Sequence, residues 1–154
     1  MRRHAILTLL LLCTALAGCL APSGARPTDP ADASLGAVTL HSGRLGQATL
    51  HPNRCEAGDR AFFLGGDFVD DRSGLVVRLA FDPLEGAAVR VFAREGGPEK
   101  SIAFRRADCR VLSATLEPTH WKINDVSDYH LALKFECARG ADAAAGEVAA
   151  AHCH

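Results

Sequence analysis

No apolar run in this 154-residue chain reaches the roughly 20 residues that a membrane-spanning helix requires. There is no Gly-x-Ser-x-Gly elbow, no His-Glu-x-x-His and no phosphate-binding glycine loop. Ser, His and Asp occur, but a triad is a spatial arrangement that their presence alone does not establish. A catalytic role is therefore not expected. Positive charge is also lacking: 17 Lys and Arg face 18 Asp and Glu. Arg2 and Arg3 are the only charged residues of 1–18, so residues 19–154 carry 15 basic and 18 acidic groups, a net −3. A nucleic-acid partner, which needs a strongly basic face, is not expected. Arg105-Arg106, the one basic pair of that segment, reads as a solvated turn. Aromatics make up only 6% and Lys is scarce beside Ala, Gly and Arg, a bias that fits a GC-rich genome better than a function. No segment sustains a 3.6-residue apolar stripe over three turns, and no internal repeat is present.

What the chain does have begins at its start. Arg2-Arg3 precede a short apolar run from Ala5 to Ala17, and Leu16-Ala17-Gly18 leads into Cys19. The run is too short for a membrane helix and has the length of a cleaved export signal. Small residues admit an extended chain to a peptidase cleft, and the thiol of Cys19 is a nucleophile. The stretch resembles the signal peptide and lipobox of bacterial lipoproteins. That resemblance implies cleavage before Cys19, diacylglycerol on its sulfur and an acyl chain on its freed amine. At about 0.8 kcal/mol per buried methylene, such chains hold a protein firmly on a membrane. Leu20 stands where an aspartate would, in that family, retain the protein in an inner membrane, so the outer membrane is implied. The residues around Arg2-Arg3 fit a twin-arginine signal poorly. The expected organisation is a signal peptide over 1–18, a lipidated Cys19 with a Pro/Ala-rich tether over 19–36, and a β domain over 37–154. Pro22, Pro27 and Pro30 lie among Ala, Ser, Gly and Asp; in polyproline-like form the tether reaches roughly 50 Å.

From Ala37 the period is two. Val38 and Leu40 alternate with Thr39 and His41; Leu75, Val77, Leu79 and Phe81 alternate with Val76, Arg78 and Ala80; Val89 and Val91 alternate with Arg90 and Phe92. The clearest strand sets Tyr129, Leu131, Leu133, Phe135 and Cys137 against His130, Ala132, Lys134 and Glu136. Ile102 and Phe104 precede a further strand-like stretch through Cys109, Val111 and Ser113, and Gly65-Gly66 reads as a bulge or bend. Ala138–Ala151 is alanine-rich, but Gly140 and Gly146 oppose a helix, so it reads as a turn and a final strand. Short strands between Gly, Pro and Asp turns predict an all-β fold, an antiparallel sandwich or small barrel. The layout of lipobox, tether and β domain is similar to that of many small, β-rich bacterial envelope lipoproteins, a likeness of architecture that implies no activity.

Cys55, Cys109, Cys137 and Cys153 form an even set in an exported domain, which reads as two disulfides. Three pairings are open; the expected one joins Cys137 to Cys153 across a Gly/Ala turn and Cys55 to Cys109. The terminal His152-Cys153-His154 offers imidazole and thiolate to copper or zinc, with His130 and His120 as further donors. A strand would place His152 and His154 on one face and Cys153 on the other, and a disulfide would remove the thiolate. Asp67, Asp70 and Asp71 could bind calcium, but their spacing and Arg72 fit a hairpin turn better. Trp121, within Pro118–Asp125, is expected to be buried and to anchor a long loop; exposed, it would be a stacking surface. The expected function is a lipid-anchored, non-enzymatic binding or structural module of the cell envelope, with an unidentified ligand or envelope protein as partner. The alternatives are a copper- or zinc-binding envelope protein and an inhibitor or accessory subunit of an envelope enzyme.

Overall fold

The structure, a computed structural model, describes residues 34–96 and 98–154. The expected signal peptide, the expected lipidation site Cys19 and most of the expected tether lie outside the described residues. Ten strands follow in order: β1 Gly36–Ser42, β2 Gly46–Leu50, β3 Arg54–Ala57, β4 Leu64–Asp70, β5 Leu75–Asp82, β6 Gly86–Ala93, β7 Ser101–Phe104, β8 Cys109–Ile123, β9 Val126–Arg139 and β10 Asp142–Cys153. They build two five-stranded antiparallel sheets, ordered β2-β1-β10-β9-β8 and β3-β4-β5-β6-β7. The fold is an all-β sandwich.

The alternation in the sequence becomes the core. Val38, Leu40, Leu131, Leu133 and Phe135 face Phe68, Val77, Leu79, Val89, Val91, Ile102 and Phe104 between the sheets. The alanine-rich segment is strand β10, paired along β9 from Asp142↔Arg139 to Ala150↔Leu131. Its small side chains and Gly146 let β1 approach: a Cβ on Gly146 would stand 2.3 Å from the Ala37 carbonyl oxygen. Gly65-Gly66 makes no bulge, because β4 pairs in continuous register with β5 through both residues. The glycines serve close approach instead. A Cβ on Gly66 would meet Leu131 Cδ2 at 2.7 Å and Cys153 Sγ at 2.9 Å.

The sheets cross. At the β3 edge a 3-10 turn, Gly58–Ala61, carries Asp59, which accepts a hydrogen bond from the hydroxyl of Tyr129 near the start of β9. At the opposite edge β7 leads through the 3-10 turn Arg106–Asp108 into Cys109, which pairs with Cys137 near the end of β9. β9 therefore traverses the second sheet from edge to edge. Its eight steps from Tyr129 to Cys137 reach about 26 Å, against about 19 Å for four inter-strand gaps.

The cysteine pairing differs from the expected one: Cys55 joins Cys153, and Cys109 joins Cys137. The register of the β9–β10 hairpin is the reason. Cys137 lies opposite Ala144 and Cys153 opposite Tyr129, so the two cysteines sit at opposite ends of the hairpin. That separation, about 26 Å along the strand, is far beyond the roughly 7 Å a disulfide can bridge. Cys109–Cys137 instead closes one cross-strand pair, and Cys55–Cys153 bolts β10 to β3 across the core.

Candidate functional site

The residues with the most concentrated chemistry meet where β10 ends beside β3. Between Ala150 and Cys153 the register of β10 against β9 shifts, and the extra residues bring His152 close to His130, with ring centroids 6.1 Å apart. Asp128, on the His130 side of β9, is only 1% exposed. Its carboxylate takes the Cys153 amide at 2.9 Å, His152 Nδ1 at 2.8 Å and the Thr119 hydroxyl at 2.8 Å, and His154 Nδ1 lies at 3.8 Å. Burial pushes this carboxyl up. The hydrogen bonds from His152, Thr119 and the Cys153 amide, with the charge of His152, outweigh that and hold it below its ordinary value.

His152 and His154 form one wall of a cleft of about 570 Å³, with Arg54, Glu56, Asp67 and Arg94 along β3, β4 and the end of β6. Charge in this wall is self-neutralised. Arg54 holds Asp71 at 2.9 Å and also bonds Glu56; Arg94 reaches Glu56 at 3.1 Å and Asp71 at 3.8 Å. Beside them Arg78 binds Asp67 through two bonds of 2.8 and 2.7 Å. The Arg78 guanidinium also stacks 4.3 Å from the centre of the Phe63 ring and 5.1 Å from that of Phe92. The hydrogen bond from Arg54 holds the Asp71 carboxyl down, and the one from Arg78 to Asp67 raises the arginine. Three guanidinium groups against three carboxylates leave a wall suited to polar, uncharged groups rather than to a strong anion or cation. A smaller hollow of about 270 Å³ lies near the Cys109–Cys137 disulfide, lined by Thr39, His41, Arg110 and Glu136.

The expected site residues are partly united. His152 and His154 do meet at Asp128, with the His130 ring 6.1 Å from that of His152, but Cys153 is bonded to Cys55 and has no thiolate to offer. Among the described residues no group of three or more His, Cys, Asp or Glu side chains is arranged to hold a metal ion. His120 is exposed in the irregular stretch of β8 between Pro118 and Lys122. Thr119 donates to the carboxylate that His152 uses, so its hydroxyl is not placed as a nucleophile against the imidazole. The aspartate-rich stretch divides as the turn reading requires: Asp70 accepts the Arg72 and Ser73 amides in the β4–β5 turn, while Asp67 belongs to the strand. Trp121 overturns its expectation. It stands 73% exposed, on the outer stretch of β8 rather than in a long loop. The stretch continues as strand to a tight turn at Asn124-Asp125, both at positive φ, and no sheet covers it.

Asp128 is the residue that reading the sequence missed. Alternation places it with His130 on the polar face, and only the fold covers it. An Asp inside a strong strand pattern, where that residue is disfavoured, is the one local signal of a special role. Compared with known protein families, with curated proteins and with solved structures, the chain matches none.

Proposed function

We propose that the protein is exported, held on the outer membrane by lipid on Cys19, and works there as a non-enzymatic binding module through the cleft beside β3. The observation that carries this reading is the cleft itself: about 570 Å³, with a self-neutralised polar wall and one side fixed by the Cys55–Cys153 disulfide. Cavities of this size and lining suit a small polar ligand or a short segment of a partner. Two disulfides among the described residues fit an oxidising compartment. The copper or zinc alternative has lost its thiolate and rests on His130, His152 and His154, with Asp128 orienting His152 as a carboxylate orients a metal-bound imidazole. The accessory-subunit alternative requires an envelope enzyme bound at the same cleft.

Non-reducing peptide mass spectrometry on protein from its native membrane, with a photo-crosslinker in place of His154, tests the reading. A diacylated amino-terminal Cys19 and an adduct at the cleft rim, absent when the crosslinker replaces Arg139, are expected. An unmodified Cys19 removes the anchor, and equal labelling at both positions removes the cleft. Near-stoichiometric copper or zinc that is lost on His154→Ala would favour the metal alternative.

A further inference from the structure

Among the described residues five large apolar side chains are exposed: Phe62, Leu64, Leu84, Trp121 and Ile123. They are not scattered. Phe62 follows the turn Gly58–Ala61, whose Asp59 also accepts the Ser127 amide at 3.4 Å. Ser127 pairs with Lys122 and Val126 with Ile123, so the β8–β9 tip bearing Trp121 and Ile123 stands beside Phe62. Leu64 pairs with Phe81, and Leu84 sits on the β5–β6 turn that follows. Phe62 is held at φ 60°, a left-handed conformation unfavourable for a bulky residue, yet its ring is 97% exposed. Nothing in the packing of the domain uses that ring.

The chain enters the domain on the side of the first sheet that carries the β8–β9 tip. β1 starts, β10 ends, β9 starts and β8 ends on one side of their sheet, and Leu35 is hydrogen-bonded to Ala149 and Pro52 there. Ser34, the first described residue, is 15 positions after Cys19, a span of at most about 50 Å. We propose that this end of the sandwich rests on the bilayer that receives the acyl chains, with these five side chains in the headgroup layer. The inference rests on the lipid-anchor reading and adds an orientation to it. Three separate turns carry these exposed side chains, an apolar edge suited to a soft surface. Trp favours the membrane–water interface. Asp82, Asp125 and Glu85 flank the edge together with Lys122 and with Arg105, which lies 3.8 Å from Glu85, a near-balanced set, so the surface is a zwitterionic lipid layer and binding is insensitive to salt. A short tether makes the contact intramolecular, at an effective concentration that populates even weak docking.

Trp121 is the only tryptophan, so its emission reports this edge alone. The test reconstitutes the processed protein from its native membrane into phosphatidylcholine vesicles, with and without acyl chains brominated near the headgroup. Expected are a blue-shifted emission and at least twofold quenching by the brominated lipid, unchanged in high salt. Phe62→Gly and Ile123→Thr together should reduce the quenching severalfold while flotation persists. Phe62→Gly removes the ring and relieves the left-handed strain, so loss of docking is not loss of fold. Protein that floats with the vesicles but keeps the emission of a solvated indole overturns the docking and leaves the anchor standing. Protein that does not float overturns both. Trp121 shielded by a co-purifying protein, and insensitive to bromine, makes the edge a protein interface and overturns the lipid assignment.

Discussion

A carboxylate as deeply covered as Asp128 stays ionised only because hydrogen-bond donors meet both its oxygens. Two strands supply them: the Thr119 hydroxyl from β8, and the Cys153 amide and His152 ring from β10. One atom group thus fastens the carboxyl terminus to the long hairpin. Asp128→Asn keeps the shape but removes the charge and turns an amide donor toward Thr119 or His152. It should cost about 1–3 kcal/mol in urea unfolding and release protection of the Cys153 amide in hydrogen exchange. Unchanged amide protection would show that the disulfide alone holds the terminus. Little of this was legible in the sequence, because the alternation around His130 makes Asp128 look like any solvent-facing residue. Burial there comes from the register shift in β10, a property of two strands. Trp121 misled for the converse reason: an isolated tryptophan is usually covered, and only the length of β8 beyond its sheet leaves it bare.

At the scale of elements, periodicity and turn chemistry are local, and so they were readable. β5, β6 and β9 follow the alternation of their apolar residues, and glycine at 140 and 146 correctly marks β10 as strand rather than helix. Pairing is not local. Which cysteines meet depends on hairpin register and on how the sheets cross, neither of which alternation encodes. The observed pairing sets unequal roles for the two bridges. Cys55–Cys153 closes a separation of 98 residues and Cys109–Cys137 one of 28. On the chain-entropy account these contribute about 4.7 and about 3.6 kcal/mol. Replacing Cys55 and Cys153 together by Ala should therefore destabilise more than replacing Cys109 and Cys137. The Cys153 side chain is also wholly buried against Gly66 and Leu131, so the larger loss has a packing component as well. Urea midpoints of the two double variants decide this; the reverse order would mean that the β8–β9 hairpin, not the cross-sheet bolt, limits stability.

Across the whole molecule, acidic side chains tie turns and strands together beside the ladders. Asp70 accepts the His51 amide, tying the β2–β3 connection to the β4–β5 turn; Asp142 takes Ser42 and Arg44 from the β1–β2 turn; Glu136 pairs with Arg110 across β8 and β9. All three have carboxyls held below their ordinary values. For Asp70 burial acts upward and the bonds from His51, Ser73 and Arg72 outweigh it; for Asp142 the Ser42 bond leads, and for Glu136 the Arg110 bond. Asp71 and Asp128 are shifted the same way. A carboxyl with a folded pKa below its unfolded one stabilises the fold fully above the unfolded value, near 4, and loses that contribution as pH falls through the folded value. The carboxylate share of stability should therefore be level above about pH 5 and decline steadily toward about pH 3. Asp70→Asn should be less stable at neutral pH and show a shallower acid decline, because it has no such proton to take up. Urea midpoints of the two proteins between neutrality and that acid limit measure it. Parallel declines would remove Asp70 from the linkage, and a decline that starts near neutrality would assign the pH dependence to groups other than these carboxylates.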